Sequence, residues 1–172
     1  MDVGAPRTFV GPDAFPYVDL RVAAGPGTTS VAGETEWCTD NGHGAVVHDR
    51  EGGTVWVYRY GVLWSLRSFG RVDVSPEGDD HQPVVLDDPE QVLVAQPTEQ
   101  VLPPWARSVL RHHLRAAGVV APEVALVDRP TGARGLALSL PADPDAAHRL
   151  TWALPPHLFL VDLAAVGGGQ PL

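Results

Sequence analysis

Apolar and polar positions alternate most clearly in three places along this chain, and elsewhere they recur at helical spacing. Residues 1–36 are rich in proline and glycine, with one apolar run, "FPYVDLRVA" (15–23). Alternation there puts Tyr17, Asp19 and Arg21 on one face and Val18, Leu20 and Val22 on the other, which predicts a half-buried strand. "AGPGTTSVAGE" (24–34) then reads as a loop. A β-branched run, "GAVVHD" (44–49), is followed by the turn residues "REGG" (50–53) and by "TVWVYRY" (54–60), the strongest strand signal in the chain. Val55, Val57 and Arg59 share one of its faces; Trp56, Tyr58 and Tyr60 share the other. Gly61 breaks the run, and "VLWSLRSF" (62–69) predicts a third strand. Residues 1–72 therefore read as a first strand and an antiparallel β-meander.

The second half carries sharper start and stop signals. "QVLVA" (91–95) predicts a short strand. "PPWARSVLRHHLRAAG" (103–118) predicts a helix: proline suits its first turn, Leu102, Trp105, Val109, Leu110 and Leu114 follow one apolar face, and Gly118 is placed to end it. Arg107, Arg111 and Arg115 form a row on the wet side. "EVALVD" (123–128) and "GLALSL" (135–140), joined by "RPTGAR", predict a hairpin. Asp143 followed by Pro144 signals a helix start for "DPDAAHRLTWAL" (143–154). "HLFLVDL" (157–163) predicts a last strand, and residues 164–172 a flexible tail. Residues 91–163 thus read β-α-β-β-α-β, the ferredoxin-like order. The fold class expected is α+β, with residues 73–90 as an acidic junction loop between the two halves. No internal repeat is present.

Composition narrows the function classes. The chain has 172 residues, is 44% apolar and carries a formal charge of −9, enough apolar content for a sizeable core. All twelve basic residues are arginine, a bias expected of a GC-rich bacterial genome. The acidity argues against nucleic acid and anionic membranes, which need clustered cations. No apolar run is long enough to span a bilayer, the N-terminus does not read as a secretory signal, and a lone cysteine suits a reducing, cytoplasmic setting.

"VLVAQPTEQVLPPWARSVLRHHLRAAGVVAPEVALVD" (92–128) resembles the start of the C-terminal domain of the SseB-like (enhanced serine sensitivity) family. The matching positions are Gln96, Pro97 and Glu99 at the strand end, then Val124 after the helix. The resemblance covers at most residues 92–163, and "TWALPPHLFLVDL" has no counterpart in it. It implies a non-enzymatic α+β module and carries over no catalytic residue. The first half, with its "DNGxG" (40–44) and "WVxxYG" (56–61) blocks, resembles an uncharacterised bacterial family without an assigned activity.

Five groups of residues could carry chemistry. Cys38, Asp40, His43 and His48 approach the spacing of a zinc ligand set; the alternative is a turn at Asp40-Asn41-Gly42 entering a strand. Cys38 as a nucleophile would need a histidine partner, and no known cysteine-protease signature surrounds it. In "RHHLR" (111–115) adjacent histidines point about 100° apart and do not converge; His112 is expected to border the core and His113 to be solvated. Asp79, Asp80, Asp87 and Asp88 form an acidic run without EF-hand spacing, a solvated loop or a surface for a basic partner. Trp56, Tyr58, Tyr60 and Trp64 are core if buried and a binding hot spot if exposed. No phosphate-binding loop, nucleophile elbow or dinucleotide fingerprint is present.

The function expected from these features is that of a non-enzymatic, acidic bacterial protein-binding module, immunity- or adaptor-like, without a cofactor. Its partner would be a basic protein, steered by the acidic loop and anchored by the aromatics. The alternative from a different class is a small metal-dependent hydrolase built on Cys38, Asp40, His43 and His48.

Overall fold

The computed structural model describes residues 7–21, 31–72, 84–86 and 92–172. Within these residues the chain is a mixed α+β protein with two sheets and four helices. The first half runs β1 (Thr8–Val10), β2 (Pro16–Arg21), α1 (Val31–Asn41), β3 (Gly44–His48), β4 (Thr54–Tyr58) and α2 (Tyr60–Phe69). The second runs β5 (Leu93–Ala95), α3 (Pro104–Ala116), β6 (Glu123–Asp128), β7 (Arg134–Leu138), α4 (Pro144–Leu150), a 3₁₀ turn at Thr151–Ala153, β8 (Phe159–Asp162) and β9 (Gln170–Pro171).

The first sheet has the order β1-β2-β3-β4, but it is not the antiparallel meander expected. β2 and β3 are parallel, and α1 is the crossover between them. Residues 31–34, expected as the end of a loop, and Asp40 and Asn41, expected in a turn, belong to that helix, while 24–30 lie outside the described residues. The inner face of α1 is disguised: buried Thr35 and Thr39 stand beside Cys38, so no apolar stripe shows in the sequence. The Thr39 hydroxyl is satisfied within the helix by donating to the Thr35 carbonyl at 2.8 Å. "DNG" does turn the chain, though at the end of the helix. The His43 amide donates back to the Cys38 carbonyl at 2.9 Å, and Gly42 takes a φ of 72°.

The third strand expected at 62–69 is also a helix. Tyr60, Leu63 and Trp64 are buried at i, i+3 and i+4, one face of α2. A short apolar run with leucine, tryptophan and serine fits either period, and packing decides. β4 consequently ends at Tyr58.

In the second half the elements appear in the predicted chain order. Asp143 caps α4 by accepting from the Asp145 amide at 3.0 Å. α3 buries Ala106, Val109, Leu110 and Leu114. The sheet, however, is sequential, β5-β6-β7-β8, with β9 beside β5 on the outer edge of β6. The connection through α3 joins antiparallel neighbours and the one through α4 joins parallel neighbours. Neither skips a strand, so the interleaved ferredoxin-like arrangement does not form. Chain order alone does not encode pairing. The tail is not loose either: β9 pairs with β6, and the Arg111 Nε donates to the Leu172 carbonyl.

One apolar core draws on both halves. It takes Tyr17 and Val46 from the first sheet, Tyr60 and Trp64 from α2, and Leu110 and Leu114 from α3. Leu126, Leu136, Leu138 and Leu160 come from the second sheet. Register explains the last group, because Leu126 pairs with Leu136 and Leu136 with Leu160 on one face. The opposite face, with Ala125, Ala137 and Val161, is covered by Val84 and Leu86. Each fully buried leucine or valine contributes roughly 1.5–3 kcal/mol, so the shared face is the main stabilising surface.

Candidate functional site

The cysteine-histidine group does not converge. Cys38 is buried against Val18, Ala45 and Leu63. Burial, with Glu34 nearby, pushes its thiol up to about 12, so at neutral pH it is neither thiolate nucleophile nor ready metal ligand. Asp40 is paired with Arg67 at 2.6 Å, and the same guanidinium reaches the Thr39 hydroxyl and lies 4.7 Å over the Trp105 ring. His43 packs on Trp37, its Nδ1 2.8 Å from the Asn41 carbonyl. His48 lies between Asp19, 3.4 Å from Nε2, and the Thr54 hydroxyl, 3.3 Å from Nδ1. Among the described residues the buried Asp19 Oδ1 makes no hydrogen bond. Among the described residues no three His, Cys, Asp or Glu side chains are placed to hold a metal. Asp79, Asp80, Asp87 and Asp88 lie outside the described residues.

The aromatic group splits in two. Tyr60 and Trp64 have no exposed surface. Tyr60 donates to the Thr39 carbonyl at 3.1 Å, while Trp64 Nε1 has no partner among the described residues. They are core, because the chain leaves the sheet at Arg59 and the strand alternation stops there. Trp56 is 54% exposed and stacks on half-buried Tyr58, ring centroids 6.3 Å apart. Its neighbours Val55 and Val57 are exposed to a similar degree. Trp56 and Val57 point to opposite faces, so β4 presents apolar side chains on both sides. It also occupies the end of its sheet. Uncharged, apolar edges are what most proteins blunt with charge, proline or a covering element.

A second feature escaped the sequence. The β1–β2 turn brings Phe15 flat against Trp152, with ring centroids 4.2 Å apart. Trp152 Nε1 donates to the Tyr17 hydroxyl at 2.9 Å, and Tyr17 donates to Asp13 at 2.5 Å. Burial, then the Asp13 hydrogen bond, pushes the phenol up to about 12. Beside this stack is a cleft of about 210 Å³ between the turn, the end of α3 and α4. His113 faces it and His112 is exposed, the reverse of the expectation. Helix phase gives the reason: residue 113 is three past buried Leu110 and four past buried Val109, whereas residue 112 is turned about 200° from Leu110.

Burial, and to a lesser degree His112, holds the His113 ring down at about 4. The folded ring then stays neutral while the unfolded ring takes a proton below about 6.5. The unfolded state binds more protons between these values, so stability rises with pH across that window and is complete above it. The slope is at most about 1.4 kcal/mol per pH unit. Urea midpoints at pH 5 and pH 7 should show a loss on acidification in the wild type that is reduced in His113→Leu.

No helix among the described residues is long and apolar enough to cross a membrane. No protein-family model, no curated protein and no solved structure matches the chain.

Proposed function

We propose that the protein is a non-enzymatic binding module that captures an extended segment of a basic protein along β4. The observation that carries this is the edge formed by Val55, Trp56 and Val57, apolar on both faces and open among the described residues. A peptide that adds as a fifth strand gains main-chain hydrogen bonds along the edge and side-chain contacts on both faces. Trp56 is the anchor, since exposed tryptophan contributes most where it becomes buried on binding. The charge of −9 favours a basic partner, and Asp79, Asp80, Asp87 and Asp88 are assigned to steering it, which acts on association rate. A non-enzymatic module is also what the SseB-like resemblance implies, and an immunity- or adaptor-like role in the bacterial cytoplasm fits this mode of binding.

The test uses two labelled peptides, one alternating Arg and Val, the other Glu and Val. The basic peptide should bind with an affinity that falls as salt rises. Trp56→Ala and Val57→Lys should each weaken it about ten-fold or more, equivalent to 1.4 kcal/mol. Both variants should stay within about 0.5 kcal/mol of wild-type stability, as surface changes do. Equal binding of the acidic peptide, or wild-type binding by both variants, would overturn the proposal.

A further inference from the structure

The cleft beside Phe15 is built unlike the β4 edge, and its chemistry points to a different ligand. It lies where the β1–β2 turn meets the last turns of α3 and α4. Four of its eight lining residues are alanine, so it is open because side chains stop short. The apolar surface is completed by Phe15, held flat on Trp152, and by Leu150. Phe15 is fixed by the turn before it. Asp13 Oδ1 accepts from the Phe15 amide at 3.1 Å, and Ala14 is held at a φ of 66°, a conformation that disfavours any side chain.

Two polar side chains face this apolar space. Among the described residues Arg149 makes one loose contact, 3.7 Å from Asp143, and both groups are about half exposed. Such a pair is weak and easily exchanged for a better acceptor. His113 contacts Phe15, Trp152 and His112 with its ring and makes no hydrogen bond with any described residue. Being neutral, it offers one donor and one acceptor rather than a second positive charge.

Size and charge select the ligand. A cavity of about 150 Å³ is enough for benzene, so about 210 Å³ admits one ring or short chain with a small polar head. One guanidinium matches a planar carboxylate through paired N–H donors. The C-terminal end of α3 borders the cleft and carries partial negative charge, a cost that grows with the ligand's charge, so with one guanidinium present a singly charged carboxylate is favoured over a multiply charged phosphate. We propose that this cleft binds a small organic monocarboxylate with an apolar body, about the size of benzoate. Its carboxylate lies on Arg149, its body against Phe15 and Leu150, and His113 makes the second polar contact.

The full chain, labelled with nitrogen-15, would be titrated with sodium benzoate into the millimolar range and followed by amide shifts. Saturable shifts are expected at Ala14, Phe15, Ala117 and Arg149. Arg149→Gln, on a half-exposed residue, should weaken binding about ten-fold or more. Ala146→Leu should abolish it by filling the space. Benzyl alcohol, similar in shape and uncharged, should bind far more weakly, and inorganic phosphate should not compete. No saturable shifts, shifts confined to other residues, benzyl alcohol binding as well as benzoate, or unchanged affinity in Arg149→Gln would each overturn the proposal.

Discussion

Gly61→Ala is expected to destabilise the protein by about 3 kcal/mol or more, or to prevent folding. Inside a helix the same change ordinarily gains up to about 1 kcal/mol, because glycine has the greater freedom to lose. Gly61 is the second residue of α2, and a Cβ there would lie 1.8 Å from the Leu154 carbonyl oxygen and 2.2 Å from its carbon. Both are backbone atoms, so no rotamer change relieves the clash, and Pro155 and Pro156 stiffen the segment that would have to move. For a chain of this length the melting temperature should fall on the order of 10 °C, followed by circular dichroism. Gly70→Ala is the control. Its φ is 64° with open space around it, so its cost is conformational, about 1 kcal/mol. A Gly61→Ala protein as stable as wild type would show that α2 does not press on residues 154–155.

Trp152→Ala should cost about 3–5 kcal/mol. The side chain stacks on Phe15 and Tyr60, meets Tyr17 edge-on and donates to the Tyr17 hydroxyl. All four of these contacts reach into the first half of the chain, so the loss falls on the surface that joins the two sheets. Trp152→Phe keeps much of the stacking and removes the donor; it should cost less, the lost hydrogen bond accounting for about 1 kcal/mol. Urea unfolding followed by far-ultraviolet circular dichroism and by tryptophan fluorescence should give coincident transitions for wild type and both variants. A loss under about 1 kcal/mol in Trp152→Ala, or a first half that melts separately, would contradict a shared core.

What could be read in the chain was decided by whether local signals agreed. α3 was legible because its stripe of Val109, Leu110 and Leu114 coincides with a proline start and a glycine stop. Asp143 and Pro144 announced α4 in the same way. α1 is not legible in the sequence, since Thr35 and Thr39 occupy its buried face, the Thr39 hydroxyl being satisfied within the helix. α2 is not distinguished from a strand because "VLWSLRSF" fits either period. Without the helical start at Tyr60, nothing in this run separates exposed Trp56 from buried Tyr60 and Trp64. The Phe15 cleft was out of reach for another reason: its walls come from residues 14–15, 113–117 and 146–150, distant in sequence and individually ordinary.

The bond between Trp152 and Tyr17 joins residues 135 apart. A ribosome adds about 5–20 residues per second, so Phe15 and Tyr17 are made on the order of ten seconds before the ring that covers them. Throughout that interval the first sheet lacks the partner for its inner face. The nascent chain must therefore carry unburied aromatic surface from the time Phe15 and Tyr17 are made until Trp152 follows them.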